Sequence, residues 1–228
     1  MNQVSAGPAG FDKNGSRAIE PLWPPVMAML AIGGLYSTLP PSLLGGAPRW
    51  LLATIVVGLS ATILIFHYRG DHVLHQRLGY ILNGVVTVAM IFSLGLLIAQ
   101  AAEHTIGPER LLSSAGVLWV SNILVFASWY WRLDAGGPHA RARTPSHTDG
   151  AFLFPQMTML PDVKLAAGEQ DWVPRFVDYL FLAFNTSTAF SPTDVPVLSR
   201  WAKMVMMVQA MISLVVIALL AGRAVNIL

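Results

Sequence analysis

The sequence predicts an all-α fold: a polytopic transmembrane helical bundle of about six spans, the fifth either crossing or re-entrant. Two observations lead there. Only 11% of the 228 residues are charged while 54% are apolar, and the mean hydropathy is +0.58. A soluble domain carries about 25% charge. The charges are also segregated, with none in 21–48, 50–68, 78–102, 111–131 or 204–222. Each window is close to the roughly 20 residues that cross a hydrocarbon core about 30 Å thick. This pattern excludes a soluble enzyme, a nucleic-acid binder and a disordered chain.

Residues 1–21 read as a disordered tail rich in Gly, Pro, Ser and Asn. The tail is not a cleaved secretory signal, because the apolar stretch after it is too long. The first span is 22–44, with Pro24 and Pro25 at its start, where proline costs no hydrogen bond, and Pro40 and Pro41 at its exit. Gly45, Gly46, Ala47 and Pro48 form a tight loop, so the second span, 50–67, returns as a hairpin. The third span is 79–101. The fourth, 111–131, ends on Trp129, Tyr130 and Trp131 beside Arg132, a grouping the headgroup layer favours. Together these make a four-helix region over 22–132.

Residues 133–171 form a cytoplasmic loop, punctuated by Gly136-Gly137-Pro138 and Thr144-Pro145. Within it, 151–160 (AFLFPQMTML) is apolar but too short to cross, and lies at the interface or plugs against the bundle. A helix-turn-helix region, 172–228, closes the chain. Its segment 172–190 is a full span or a half-span that turns back. Its last helix, 201–226, is flanked by Lys203 and Arg223, whose stems snorkel to the two surfaces.

Lys and Arg favour the cytoplasmic side. With the N-terminus inside and six spans, ten of the 14 bases lie inside; with the fifth segment re-entrant from the cytoplasm, eleven do. The expectation is a multi-pass protein of the bacterial cytoplasmic (inner) membrane with its N-terminus cytoplasmic.

The passage most demanding of explanation is 185–196, NTSTAFSPTDVP. Small polar side chains at membrane depth are costly unless they meet each other, water or an ion. A short helix, a Thr-rich turn with Thr186, Ser187 and Thr188, then Asp194 and a long apolar helix resemble the pore region of two-helix potassium channels. That family's Gly-Tyr-Gly core is absent, replaced by Ala189, Phe190, Ser191, Pro192 and Thr193. The resemblance therefore implies a degenerate filter-like turn, not a potassium-selective filter. Over nearly the whole chain, the two N-terminal hairpins, Asp178-Tyr179, the 189–194 turn and the closing Ala224-Val225-Asn226 resemble an uncharacterised family of small bacterial inner-membrane proteins. That likeness implies architecture and location only.

Each polar group has a plainer role beside the functional one. Thr186, Ser187 and Thr188 line a path or bond back to their own helix. Asp194 is a ligand or caps the following helix. Asp178 and Arg175 form an edge pair, or an intramembrane charge site were the acid buried. Gln209 and Ser213, four apart on the last helix, line a pore or bond a neighbouring helix. Asn83, Thr87 and Asn122 pose the same choice. His67, Asp71, His72 and His75 sit in the turn between spans two and three, where solvation fits better than zinc without a further ligand set. Met204, Met206, Met207 and Met211 suit a packed core.

No serine elbow, phosphate loop or His-Glu helix pair is present, so no enzyme, no metal and no cofactor is expected. The expected function is channel-like permeation by a homo-oligomer in the lipid bilayer. A monovalent cation would pass Thr186, Ser187, Thr188, Asp194, Gln209 and Ser213. A non-conducting partner or assembly subunit is the alternative, and a small-molecule transporter the third, lacking inverted repeats.

Overall fold

The computed structural model describes residues 20–143, 150–170, 172–190 and 194–224. Most of the N-terminal tail, Ser191, Pro192 and Thr193 lie outside the described residues. Helix dominates because a backbone without water around it must bond within itself. The helices are α1 (Trp23–Ser37), α2 (Leu51–Tyr68), α3 (His72–Ala102), α4 (Pro108–Leu133), α5 (Pro138–Arg143), α6 (Pro155–Thr158), α7 (Pro161–Ala167), α8 (Phe176–Ala189) and α9 (Arg200–Ala224). Helix α4 is central, packed by α1, α3, α8 and α9.

Four helices are long and apolar enough to cross a membrane: 51–68, 73–102, 108–136 and 200–222. Among the described residues six such helices are not found, and the first and fifth expected spans account for the difference. Helix α1 has 15 residues and α8 has 14, about 21–23 Å of helix against a core of about 30 Å. Helix α1 stops early because the residue before a proline resists helical geometry, and Pro40-Pro41 lie just ahead. A 3₁₀ turn, Pro41–Leu44, completes the traverse. Glu20 bonds Trp131 near the end of α4, while Ser42 reaches Gln100 near the end of α3 at 3.1 Å. Gly45 and Gly46, with φ of 62° and 81°, then reverse the chain.

Helix α8 behaves differently. Its first turns pack on the end of α4, where Tyr179 meets Asp134. Its last turn reaches the midpoint of α4, where Ser187 meets Asn122. The chain then returns to the end it left. Phe152 and Val197 form an antiparallel bridge, Leu153 N donates to Pro196 O at 2.9 Å and Leu198 N donates to Ala151 O at 2.8 Å. Helix α9 starts there and runs the full length. Helix α8 thus ends at mid-bundle, and the described ends of the chain, Glu20 and Ala224, lie toward opposite ends of the bundle.

Three further expectations are revised. Helix α3 starts at His72, not Gly79, because Asp71 caps it by accepting from Leu74 N at 3.0 Å. His75 is therefore helical and buried, not part of a solvated turn. Met204, Met207 and Met211 face outward, and only Met206 is in the core. The apolar run 151–160 does plug the bundle through Ala151, Phe152 and Phe154.

Candidate functional site

A polar seam joins α4, α8 and α9 at mid-length. Asn122, Ser187, Gln209, Ser213 and Tyr130 are all fully buried there. Gln209 Nε2 donates to Ala183 O at 2.7 Å and to Ser187 Oγ at 2.8 Å, while its Oε1 accepts from the Tyr130 hydroxyl. Asn122 Nδ2 donates to Ser213 Oγ at 2.8 Å and approaches Gln209 O at 3.3 Å and Ser187 Oγ at 3.5 Å. Burying amides requires this pairing, since an unmatched polar group costs several kcal/mol in a dry interior, roughly 2–7. The Asn122 Oδ1 acceptor has no hydrogen-bond partner among the described residues.

Ser187, Gln209 and Ser213 are thus spent on one another and on α4. Thr186 is also buried and returns its hydroxyl to Leu182 O at 2.8 Å. Thr188 and Asp194 are exposed, on either side of the turn. Asp194 does not cap α9, which starts at Arg200; Ser199 Oγ accepts from Ala202 N at 3.3 Å in that role. Phe190 adopts φ of 53° at the end of α8, a geometry that a non-glycine residue adopts at a cost. Asn83 is buried, and its backbone O accepts from Thr87, whose oxygen in turn accepts from Trp129 Nε1 at 2.9 Å.

A second polar centre locks the end where α8 enters. The buried Asp134 carboxyl accepts from Ala151 N at 2.5 Å and from the Tyr179 hydroxyl at 2.6 Å. Arg141 donates to the carbonyls of Trp131 and Asp134 at 2.7 and 2.9 Å and lies over the Tyr179 ring. Glu20 accepts from Trp131 Nε1 at 2.6 Å and from Phe176 N at 2.5 Å. Burial pushes the Glu20 carboxyl above its usual range, against the pull of those donors, Arg141 and Arg175. Asp178 and Arg175 pair through backbone: Asp178 Oδ2 accepts from Arg175 N at 2.7 Å and caps α8. Asp178 is half-buried at the helix start, not deep in the bundle.

The same end gathers three imidazoles. His67 ends α2, His75 lies in the first turn of α3 and His139 comes from α5. One nitrogen from each lies within 4.8 Å of the others. Sequence spacing offered His67 and His75 but not His139, which is distant in the chain. The side chain of His72 is outside the described residues.

No protein-family profile, curated protein or solved structure matches this chain. What the molecule shows by itself is a helical chain with four helices fit to cross a membrane, hence a membrane protein.

Proposed function

We propose that this is a channel-like permeation subunit of a bacterial cytoplasmic membrane, working as a homo-oligomer, with its N-terminus inside. The observation that supports this is that α8 ends at mid-bundle while Pro196, Val197 and Leu198 lie back beside 151–153, at the end where α8 starts. Non-helical backbone at membrane depth is tolerated only where protein buries it or where it lines a wet cavity. Thr188, Ala189 and Phe190 lie at that depth and are exposed on the single chain. In this reading a second copy or water covers the end of the half-helix at Phe190, whose open carbonyls favour a cation, while the Thr188 hydroxyl donates back to Phe184 O at 2.9 Å. The likeness of 186–194 to a two-helix channel pore is one of chain order only, because a channel-type loop enters from outside while four spans from an inner N-terminus bring this segment in from the cytoplasmic side.

The roles of the expected path residues divide accordingly. Thr188 and Asp194, both exposed, would be the ones to meet a permeating monovalent cation. Thr186, Ser187, Gln209 and Ser213, with Asn122 and Tyr130, hold the half-helix in place. That closed pairing equally suits the second reading, a non-conducting membrane partner. Flux from liposomes containing the purified chain decides between them. A cation leak lowered at least about tenfold (a loss of roughly 1.4 kcal/mol) by Thr188→Val and Asp194→Ala supports conduction. No leak under any cation gradient establishes the non-conducting reading.

A further inference from the structure

We propose that His67, His75 and His139 form a binding site for a borderline divalent transition metal, of which zinc is the representative. This site is independent of the permeation reading, since it lies at the end of α2 and α3, away from the turn after α8.

Three features argue for it. The first is convergence. The imidazoles come from three separate elements, yet their ligand atoms lie within 4.8 Å of one another. At that limit a point equidistant from the three is about 2.8 Å from each nitrogen, against about 2.0–2.1 Å for a zinc–nitrogen bond. A shift of under about 1 Å at each ring closes the difference, within the reach of small side-chain rotations. The ring centroids are 5.4, 5.4 and 5.7 Å apart, so the rings surround a common point.

The second is support. His139 is brought back over α2 and α3 by a turn in which Ala135, Gly136 and Gly137 all have positive φ. Gly137 also lies so close to the Arg132 carbonyl that a Cβ would stand 3.0 Å from it. Gln76 Nε2 ties the turn to α3 by donating to Gly136 O at 3.2 Å, and Arg141 holds the far end of α5. The ligand set is thus positioned by the fold before any ion arrives.

The third is chemistry. Neutral imidazoles suit zinc, copper, nickel or iron rather than magnesium or calcium. His75 is 1% exposed while His67 and His139 are half-buried, so a fourth position opens toward the aqueous end. Three histidines with an open fourth site is the pattern that leaves room for water or a substrate. Arg132, whose guanidinium covers Gly79 one turn along α3 from His75, adds positive charge nearby. Affinity therefore comes from the imidazole donors and not from the surrounding field.

The test uses the full chain in detergent micelles, stripped with chelator and titrated with zinc. The expected result is one ion per chain, a rise in Tm on zinc addition, and a visible d–d band when cobalt replaces zinc. His67→Asn and His139→Asn, both at half-buried positions, should each weaken binding more than about 100-fold. Loss of an outer-shell partner alone costs about 10–100-fold. His104→Asn, in the turn at the opposite end, should leave it unchanged. Wild-type affinity should weaken as pH falls, because protons compete with the ion for the imidazole nitrogens. Absence of saturable zinc binding overturns the proposal, as does unchanged affinity in the folded His67→Asn and His139→Asn chains.

Discussion

The Tyr179 hydroxyl stands 2.6 Å from Oδ2 of Asp134, tying the second turn of the half-helix to the end of the central helix. The same carboxyl takes the Ala151 amide on its other oxygen. One acidic side chain therefore fixes α4, α8 and the plug segment that bridges to Val197. Without that anchor the half-helix is held at its start by Glu20, which accepts from Phe176 N, and at mid-bundle by the seam.

Tyr179→Phe removes one donor from a buried carboxyl, which costs about 1–3 kcal/mol. Its thermal midpoint in detergent should fall clearly below that of wild type. Tyr80→Phe, at a half-buried site, loses a bond from the neutral Gln76 Nε2 at 3.0 Å and a 3.4 Å contact to Arg132 O, strands no buried charge, and should shift the midpoint less. Equal shifts in the two variants refute the role given to Asp134.

Gln209→Leu tests the seam. It removes the bonds to Ala183 O, Ser187 and Tyr130. Interhelical bonds in membrane bundles average about 0.6 kcal/mol, so three give about 2 kcal/mol. Ser213→Ala removes one and should cost about a third as much. A cysteine placed at Asn185 should label faster in Gln209→Leu than in wild type as α8 loosens. Unchanged labelling means the seam does not hold the half-helix.

The long spans were legible because absence of charge over some 20 residues has one physical reading in a bilayer. Helices α2, α4 and α9 lie within a few residues of 50–67, 111–131 and 201–226. The start of α3 lies earlier than the sequence suggests because His72, His75 and Arg77 read as a loop, whereas Asp71 caps a helix that carries them. Hydropathy could not tell that α8 turns back, since Tyr179 to Phe184 is apolar in either case. Gln209 and Ser213 stood out as polar groups on an apolar helix, but their partners Asn122, Tyr130 and Ser187 come from other helices. His139 and Asp134 carried no signal at all, lying in a stretch that reads only as a loop. Outward-facing methionines on α9 were invisible for a related reason: membrane helices are apolar on every side, so composition does not mark the core.

Topology is the next prediction. The half-helix makes the number of crossings odd, so the C-terminus should lie opposite the N-terminus. By sequence position, eleven of the 14 bases then fall on the N-terminal side, which the positive-inside preference makes cytoplasmic. A C-terminal reporter that works only outside the cytoplasm should be active, and a cytoplasmic reporter silent. The reverse pattern would restore six crossings and remove the half-helix.

Glu20 makes the fold's response to acid specific. Its carboxyl is raised mainly by burial, so the folded chain favours the protonated form more than the unfolded chain does. The sign follows from linkage: stability from this group is complete below the unfolded value near 4.3 and is lost as pH rises through the higher folded value. Glu20→Gln does not titrate and keeps one acceptor for either Trp131 or Phe176. The difference in thermal midpoint, wild type minus Glu20→Gln, should therefore shrink as pH climbs from about 4 toward 7. A difference that grows over the same interval means that Arg141, Arg175 and the two donors outweigh burial, and that the carboxylate is the form the fold prefers.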